Sequence, residues 1–143
     1  MGEARTEALR VSFNRALRLE FHGAKVTSDA GLLAYRDLDE AFALTDSAGQ
    51  RIDEWRAGRN TRHSTVGLLR QSIDSRLAGY EDTNDAERLC VDPAMRHVVG
   101  GRAMEHAAAS TSQVGRFETE VLTQPSNLAA LMWRAPLKLV QVE

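Results

Sequence analysis

Acidic side chains are the first candidates for chemistry in this chain, because grouped carboxylates can hold metal ions or transfer protons. The densest group is Glu81, Asp82 and Asp85. A two-metal site needs acids that converge on ions about 3.5–4 Å apart. These acids instead lie at the start of a short predicted helix, where the helix dipole stabilises negative charge. We therefore interpret the group as a solvated helix start and predict no catalytic residues.

The histidines and the single cysteine lack the spacing of a metal site. None of the four histidines stands four residues from another, and Cys90 has no partner cysteine. We therefore predict no metal ligands. One cysteine also excludes an internal disulfide framework and fits a reducing compartment. The sequence contains no phosphate-binding glycine loop, dinucleotide fingerprint or serine-nucleophile motif.

Arginine is the second kind of candidate, since its guanidinium binds phosphate or guanine through two parallel hydrogen bonds. Of the 18 basic residues, only Lys25 and Lys138 are not arginine, although a GC-rich genome would produce the same bias. The net charge of -2 restricts any nucleic-acid contact to a local patch. The basic residues that alternate with predicted caps and short helices are Arg59, Arg62, His63, Arg70, Arg76, Arg88, Arg96, Arg102 and Arg116.

Length and composition indicate one ordinary globular domain. The chain has 143 residues, of which 43% are hydrophobic and 27% are charged. The first residues have no apolar core of signal-peptide length, and no run of 18 apolar residues occurs. We therefore expect a cytoplasmic protein without a membrane partner.

The elements that must position these side chains begin with an alternating segment. Between residues 11 and 21, apolar and polar side chains alternate with the period of a half-buried strand. The apolar set is Val11, Phe13, Leu17, Leu19 and Phe21. Gly23 supplies a turn, and Val26 begins a possible return segment. The predicted fold class is mainly α, with an N-terminal β-strand or hairpin followed by about six short helices in an incomplete domain.

The predicted helices are recognised by their caps and apolar faces. The strongest begins after Ser64, runs from Thr65 to Ala78 and stops at Gly79, with Val66, Leu69, Ile73 and Leu77 buried. An earlier helix, from Ser28 or Asp29 to Leu44, should bury Ala34, Leu38, Ala41 and Phe42. A weak helix at 46–55 is anchored by Ile52 and Trp55, a further helix is predicted at 83–90, and Asp92 and Pro93 open a helical turn. Gly100 and Gly101 then break the chain. A helix at 113–122 is capped by Ser112, with Val114, Phe117 and Val121 inward, and a last helix is predicted at 127–133.

Three sequence elements in order, RQS, LAGYEDTNDAERL and STSQVGRFE, carry a family resemblance. Together with LRLEFHGAKVTSDAGLLAYRDLDEAF, they resemble the front part of bacterial insertion-sequence transposases of the DDE class. The resemblance divides the chain into an N-terminal extension at 1–16, a transposase N-terminal helical region at 17–131, and a divergent tail at 132–143.

The resemblance implies that the helical region recognises the terminal inverted repeats of a mobile element and assembles the paired DNA ends. DNA contact would fall on Arg59, Arg62, His63, Arg70, Arg76, Arg102 and Arg116. In the full-length family, a following ribonuclease-H-like domain holds two Mg²⁺ ions with three acids. The first of these acids lies beyond the point that matches Glu120.

The tail departs from the family pattern. After LAALM the family stays helical and leads into the first catalytic strand, whereas this chain reads WRAPLKLVQVE and ends at Glu143. This difference predicts a frameshifted or truncated copy that needs no cofactor and lacks DNA cleavage and strand transfer. An exposed apolar surface is then expected where the missing domain would dock.

Three functions remain open. A fragment that retains DNA-end binding or dimerisation, as a homodimer or with a full-length transposase, should bind the element's ends in a salt-dependent manner. An inert remnant should be protease-sensitive and melt without cooperativity. A stand-alone helical protein-interaction module should bind a protein partner tightly with no DNA present.

Overall fold

The structure is a computed structural model that describes residues 9–19, 28–55 and 62–132. These ranges contain eight α-helices, two 3-10 turns at Ser28–Gly31 and Thr83–Asp85, and a π-helical segment at Phe117–Leu122. The α-helices are α1 (Leu32–Phe42), α2 (Leu44–Gly49), α3 (Thr65–Leu77), α4 (Ala86–Leu89), α5 (Pro93–Val99), α6 (Arg102–Glu105), α7 (Thr111–Arg116) and α8 (Pro125–Met132). The helices therefore outnumber the six or so that the sequence predicted.

The predicted N-terminal strand or hairpin is wrong. Residues 11–17 form loop and turns, and extended pairing is limited to β1 (Leu9–Arg10) and β2 (Arg18–Leu19), two residues each. Val11 is buried in the core, and Ser12 donates its backbone N–H and its hydroxyl to Asp37 in α1. Hydrogen bonds from Ser12 to α1 thus hold this segment, in place of the longer strand pairing that the sequence predicted. Phe21, Gly23 and Val26 lie outside the described residues.

The helix boundaries follow local chemistry and confirm several predictions. The Ser64 hydroxyl accepts a hydrogen bond from the Gly67 N–H at 3.0 Å, so Ser64 caps α3 as predicted. Asp92 likewise caps α5 by accepting from the Met95 N–H at 2.9 Å, with Pro93 in the first turn. The predicted stop at Gly79 has a φ of 89°, a conformation that glycine adopts without strain.

The long helix predicted to reach Leu44 is divided in two. Ala43 has a φ of 50°, in the left-handed region, and separates α1 from α2. Asp39 holds this break by accepting hydrogen bonds from the Thr45 N–H at 2.7 Å and from the Thr45 hydroxyl. The helix predicted at 46–55 is shifted and ends at Gly49. Of its two predicted anchors, Ile52 is buried as expected, but Trp55 is exposed.

Two apolar clusters form the core, and α3 lies between the helices that carry them. One cluster is built around Met95 and Val98 of α5 and takes in Leu89 of α4. The other is built around Phe117 and takes in Leu68 of α3. Helix α3 contacts α1, α2, α5 and α7, so it connects both clusters.

The buried faces of α1 and α3 differ from those predicted. On α1, Ala34, Leu38, Ala41 and Phe42 are exposed, whereas Leu32, Leu33 and Arg36 are buried. On α3, Leu69 is buried as predicted, but Ile73 and Leu77 are exposed. The buried residues of α3 include Arg70, Gln71, Ser72 and Asp74. The physical reason is that Arg70, Gln71 and Ser72 have ion-pair or hydrogen-bond partners inside the fold. In the ranges that the structure describes, no helix is both long and apolar enough to cross a membrane.

Candidate nucleic-acid interface

Arg70 lies in the interior, and its guanidinium is already occupied. Its Nε donates to Thr45 Oγ1 at 2.9 Å and to Asp39 Oδ2 at 3.2 Å. Its Nη2 donates to Asp46 Oδ1 at 3.1 Å. With a side chain only 11% exposed, Arg70 connects α3 to the α1–α2 corner and presents no free surface for DNA.

Arg76 forms a two-pronged ion pair with Glu118 across α3 and the π-helical segment. The two N–H···O distances are 2.7 and 2.9 Å, and the Ser72 hydroxyl also donates to Glu118 at 2.6 Å. Burial alone would raise the pKa of Glu118, but the hydrogen bonds from Arg76 and Ser72 outweigh burial and lower it. Arg76 is therefore held in a structural pair.

Two further arginines have intramolecular partners. Arg88 donates to the Tyr80 hydroxyl and lies over the Tyr80 ring, 5.1 Å from its centre. Arg96 donates to the backbone oxygens of Ala103 at 2.8 Å and Met104 at 2.6 Å. Arg96 thus fastens α6 against α5 and helps to fix the position of the residues at either end of α6.

Four basic residues, Arg62, His63, Arg102 and His106, converge on an open cavity of about 590 Å³, which we call the arginine pocket. Arg62 and His63 reach it from the segment before α3, and Arg102 and His106 reach it from α6 and its end. None of the ten lining residues that the structure describes is acidic. They are Arg62, His63, Cys90, Arg102, His106, Ala107, Ala108, Ser110, Ser112 and Gln113.

Hydrogen bonds to Cys90 and Gln71 hold residues 107–109, which we call the floor of the arginine pocket, in place. The Ala108 N–H donates to the Cys90 oxygen at 2.8 Å. Next to it, the Gln71 side chain donates to the Ala109 oxygen at 2.7 Å and accepts from the Ala109 N–H at 2.8 Å. Because Gln71 and Ala109 are buried, this floor is rigid compared with a free loop.

The approach to α6 depends on two glycines. Gly100 and Gly101 have φ values of 73° and 56°, which other residues rarely adopt. The predicted chain break at this point is confirmed. The turn they form starts α6 at Arg102, which places Arg102 at the pocket together with His106 at the end of the same helix.

The electrostatics of the arginine pocket favour anions. Arg62 and Arg102 are exposed and permanently charged. Partial burial lowers the pKa of His63, and the positive charges of Arg102 and Arg62 lower it further. Burial and the charge of Glu87 raise the pKa of the Cys90 thiol, so it stays protonated and is not an activated nucleophile. The pocket thus offers fixed positive charge, hydroxyl groups and a neutral thiol.

The predicted site residues therefore separate into groups. Arg62, His63 and Arg102 meet in the arginine pocket. Arg116 is exposed on α7, four residues after the lining residue Ser112, and so lies on the same side of that helix. Arg70 and Arg76 are in ion pairs elsewhere, and Arg59 lies outside the described residues.

Sequence reasoning missed His106 and the small residues of the pocket. The four-residue spacing of Arg102 and His106 was a usable signal, because that spacing places both on one side of a helix. The contributions of Cys90, Ser110 and Ser112 had no comparable signal. Their positions depend on the contact between the segment after α6 and the end of α4, where the Ala108 N–H bonds to the Cys90 oxygen.

The two Mg²⁺ ions implied by the resemblance need several convergent acids. Within 9–19, 28–55 and 62–132, no group of three or more histidine, cysteine or acidic residues is placed to hold an ion. Asp39 and Asp46 are bound to Arg70 instead. The described residues do not fit these ions, so we assign no step to them.

Comparison with known proteins gives one match. The model of the family described as transposase DDE domain group 1 matches residues 9–138, a range that spans all of the described elements. No curated protein and no solved structure matches the chain.

Proposed function

We propose, on the premise that this chain belongs to the transposase DDE domain group 1 family, that it serves DNA transposition by binding DNA through the arginine pocket. Membership of the family implies a role related to transposition and an interaction with DNA in general. The finer proposal is that the target is the terminal inverted repeats of the mobile element, bound in the cytoplasm. We further propose that cutting and joining are not performed by the described residues.

One observation supports the pocket as the contact. Its lining combines the exposed side chains of Arg62 and Arg102 with no acidic residue, in a chain whose net charge is -2. Among the described residues, neither arginine has an ion-pair partner. A local concentration of unpaired guanidinium groups is the expected footprint of phosphate contact on an otherwise acidic protein.

The ion pairs of Arg70 and Arg76 reduce the set of residues that we propose to contact DNA. Arg70 and Arg76 would have to break bonds to Asp39, Asp46 or Glu118 before they could reach phosphate. We therefore keep Arg62, His63 and Arg102 as the contacts, with Arg116 at the rim. Arg59 stays a proposal based on its nearness in sequence.

The test measures DNA binding as a function of salt. Fluorescence anisotropy with duplexes of the element's end sequence and of random sequence should show tighter binding to the former. Replacing Arg62 or Arg102 by Gln should each reduce the slope of log K against log salt by about 0.9, because one phosphate contact is lost. Arg88→Gln, a matched change of charge beside Tyr80, should leave the slope unchanged.

Two results would count against this proposal. One is a wild-type protein that binds no duplex in low salt. The other is an Arg62→Gln/Arg102→Gln double variant that binds with the wild-type affinity and salt slope. Circular dichroism of each variant shows whether the fold is retained.

Pairing with a second transposase chain is the other candidate function, and the exposed face of α1 favours it. Ala34, Leu38, Ala41 and Phe42 form an apolar stripe that nothing in the described residues covers. Apolar stripes of this kind often mark protein contacts. If copies of this chain pair through it, Leu38→Glu should shift the molar mass measured by light scattering from dimer to monomer, while the exposed change Thr119→Glu should not.

A further inference from the structure

We propose that the arginine pocket receives a terminal phosphomonoester, such as the phosphate at the end of a DNA strand, in preference to an internal phosphodiester of a continuous duplex. This inference rests on the proposed function and names the kind of phosphate that the site accepts. Three features of the pocket support it: its charge, its shape and its donors.

Charge is the first feature. An internal phosphodiester carries one negative charge, whereas a phosphomonoester carries about -1.5 to -2 at pH 7. The pocket holds two permanent cations, Arg62 and Arg102, and no acid is among the described residues that line it. One phosphodiester would neutralise only half of this charge. A terminal phosphate matches both arginines with a single group.

Shape is the second feature. A cavity of about 590 Å³ is of the size that encloses small ligands. Its lining includes the small side chains of Ala107 and Ala108, which take up little space beside the basic residues. A continuous duplex presents its phosphates along a convex outer surface, whereas a strand end can project a phosphate into a concave site.

The donors are the third feature. A terminal phosphate has three acceptor oxygens, and each can take more than one hydrogen bond. The guanidinium groups of Arg62 and Arg102 can each bind two oxygens. The exposed hydroxyl of Ser112 adds a donor, which bonds with the Ser110 hydroxyl at 3.2 Å, while the Ser110 hydroxyl itself is engaged with Gln113 in the cap of α7. His63 supplies another N–H once it is protonated, and an incoming dianion favours that protonation.

The experiment compares duplexes that are identical except for the end group. Each duplex carries a fluorophore at one end and either a 5′-phosphate or a 5′-hydroxyl at the other, with a 3′-phosphate version as a third arm. The phosphorylated ends should bind about tenfold more tightly at pH 7, the effect of one additional charge-assisted contact. The Arg62→Gln/Arg102→Gln variant should lose this preference, and Arg88→Gln should retain it.

The single cysteine provides an independent readout, because Cys90 lines the same cavity. Its alkylation by iodoacetamide, followed by mass spectrometry of the intact wild-type protein, should slow in the presence of the phosphorylated duplex. Inorganic phosphate and a nucleoside monophosphate are tested alongside, because they carry the same dianion without a duplex.

The outcomes distinguish this inference from the proposed function. Equal binding of phosphorylated and hydroxyl ends, with an unchanged dependence on Arg62 and Arg102, overturns the inference and leaves the function standing. Protection of Cys90 by a nucleoside monophosphate, with no binding of any duplex, supports the phosphomonoester site and overturns the DNA function. Loss of both signals overturns both.

Discussion

Gln71 is 1% exposed in the middle of α3, and its side-chain amide forms the pair of hydrogen bonds that a neighbouring backbone amide would form in a sheet. It donates to the Ala109 oxygen and accepts from the Ala109 N–H. Both groups of Ala109 are buried, and no water can replace a lost partner there. The segment that forms the floor of the arginine pocket thus depends on one amide from another helix.

Gln71→Ala should lower the free energy of unfolding by about 2–4 kcal/mol, because two buried backbone groups lose their partner. Gln124→Ala is the matched control, since Gln124 is exposed and its side chain donates to the Glu120 oxygen one turn away. The control should change stability by less than about 0.5 kcal/mol. Urea unfolding followed by circular dichroism gives both values, and similar losses in the two variants would contradict the assignment.

At the residue scale, the sequence could indicate which side chains were able to bind phosphate, but not which were free to do so. Arg70 and Arg102 look alike as isolated arginines near helix residues. Arg70 is neutralised by Asp39 and Asp46, which precede it by 31 and 24 positions. Such pairing depends on how helices meet, and no local pattern around Arg70 records it.

At the scale of elements, α3 packs a charged face against α1. Asp74 is buried near Asp39 of α1, and the cations facing it are Arg36 of α1 and Arg70 of α3. Burial, followed by the charge of Asp39, raises the pKa of Asp74 from 3.8 to about 7, while the two arginines oppose the shift. Glu40 of α1 and Asp46 of α2 bind the same arginines.

This arrangement makes the α1–α3 contact sensitive to pH. The unfolded chain releases the Asp74 proton near pH 3.8, whereas the folded chain holds it to about pH 7. Folding therefore takes up a proton between these values, and stability falls as the pH rises through this window. The contribution of Asp74 is fully present below pH 3.8 and is lost above about pH 7.

Asp74→Asn should remove this dependence, because the amide has a similar shape and does not ionise. Between pH 5 and pH 7, the wild-type chain should lose about 2 kcal/mol more unfolding free energy than the variant does. Urea midpoints measured at half-unit pH steps test this. Parallel pH curves for the two proteins would show that Asp74 titrates normally in the fold.

The element boundaries set by a local cap or glycine stop were more predictable from the sequence than the element faces, whereas the break at Ala43 was not predicted. Ser64, Asp92 and Gly79 act on backbone groups within four residues, so their roles are local. The inward face of α3 is different, because Arg70 and Asp74 become acceptable inside only when α1 supplies their counter-charges. The exposed apolar stripe of α1 was likewise not predictable from α1 alone, because the buried face of a helix depends on the elements that pack against it.

At the scale of the whole molecule, Asn127 connects the last helix to the loop after α2. Its side chain accepts from the Asp53 N–H at 2.8 Å and donates to the backbone oxygens of Asp53 at 3.1 Å and Val121 at 2.9 Å. Asn127 is fully buried, and Asp53 lies 74 positions earlier. This clasp closes the second apolar cluster around Phe117.

Asn127→Ala should destabilise the fold by about 2–3 kcal/mol and open this closure first. Hydrogen exchange read by mass spectrometry should show faster exchange in peptides that contain residues 50–55 and in α8 than in α5, which belongs to the other cluster. Asn84→Ala is the control, because Asn84 is exposed and bonds only with Asp82 through its side chain. Uniformly faster exchange would indicate that the two clusters do not open separately.

The hydrogen bonds of Gln71 and Asn127 also have a consequence for prolonged heating. Side-chain amides hydrolyse to carboxylates on prolonged heating. A carboxylate accepts hydrogen bonds but has no proton to donate, so it would face the backbone oxygens of Ala109 or Asp53 in mutual repulsion. While the fold is closed, burial shields both amides. Prolonged heating that opens the chain exposes both amides to hydrolysis, and we expect a copy converted at either position to be less stable after cooling.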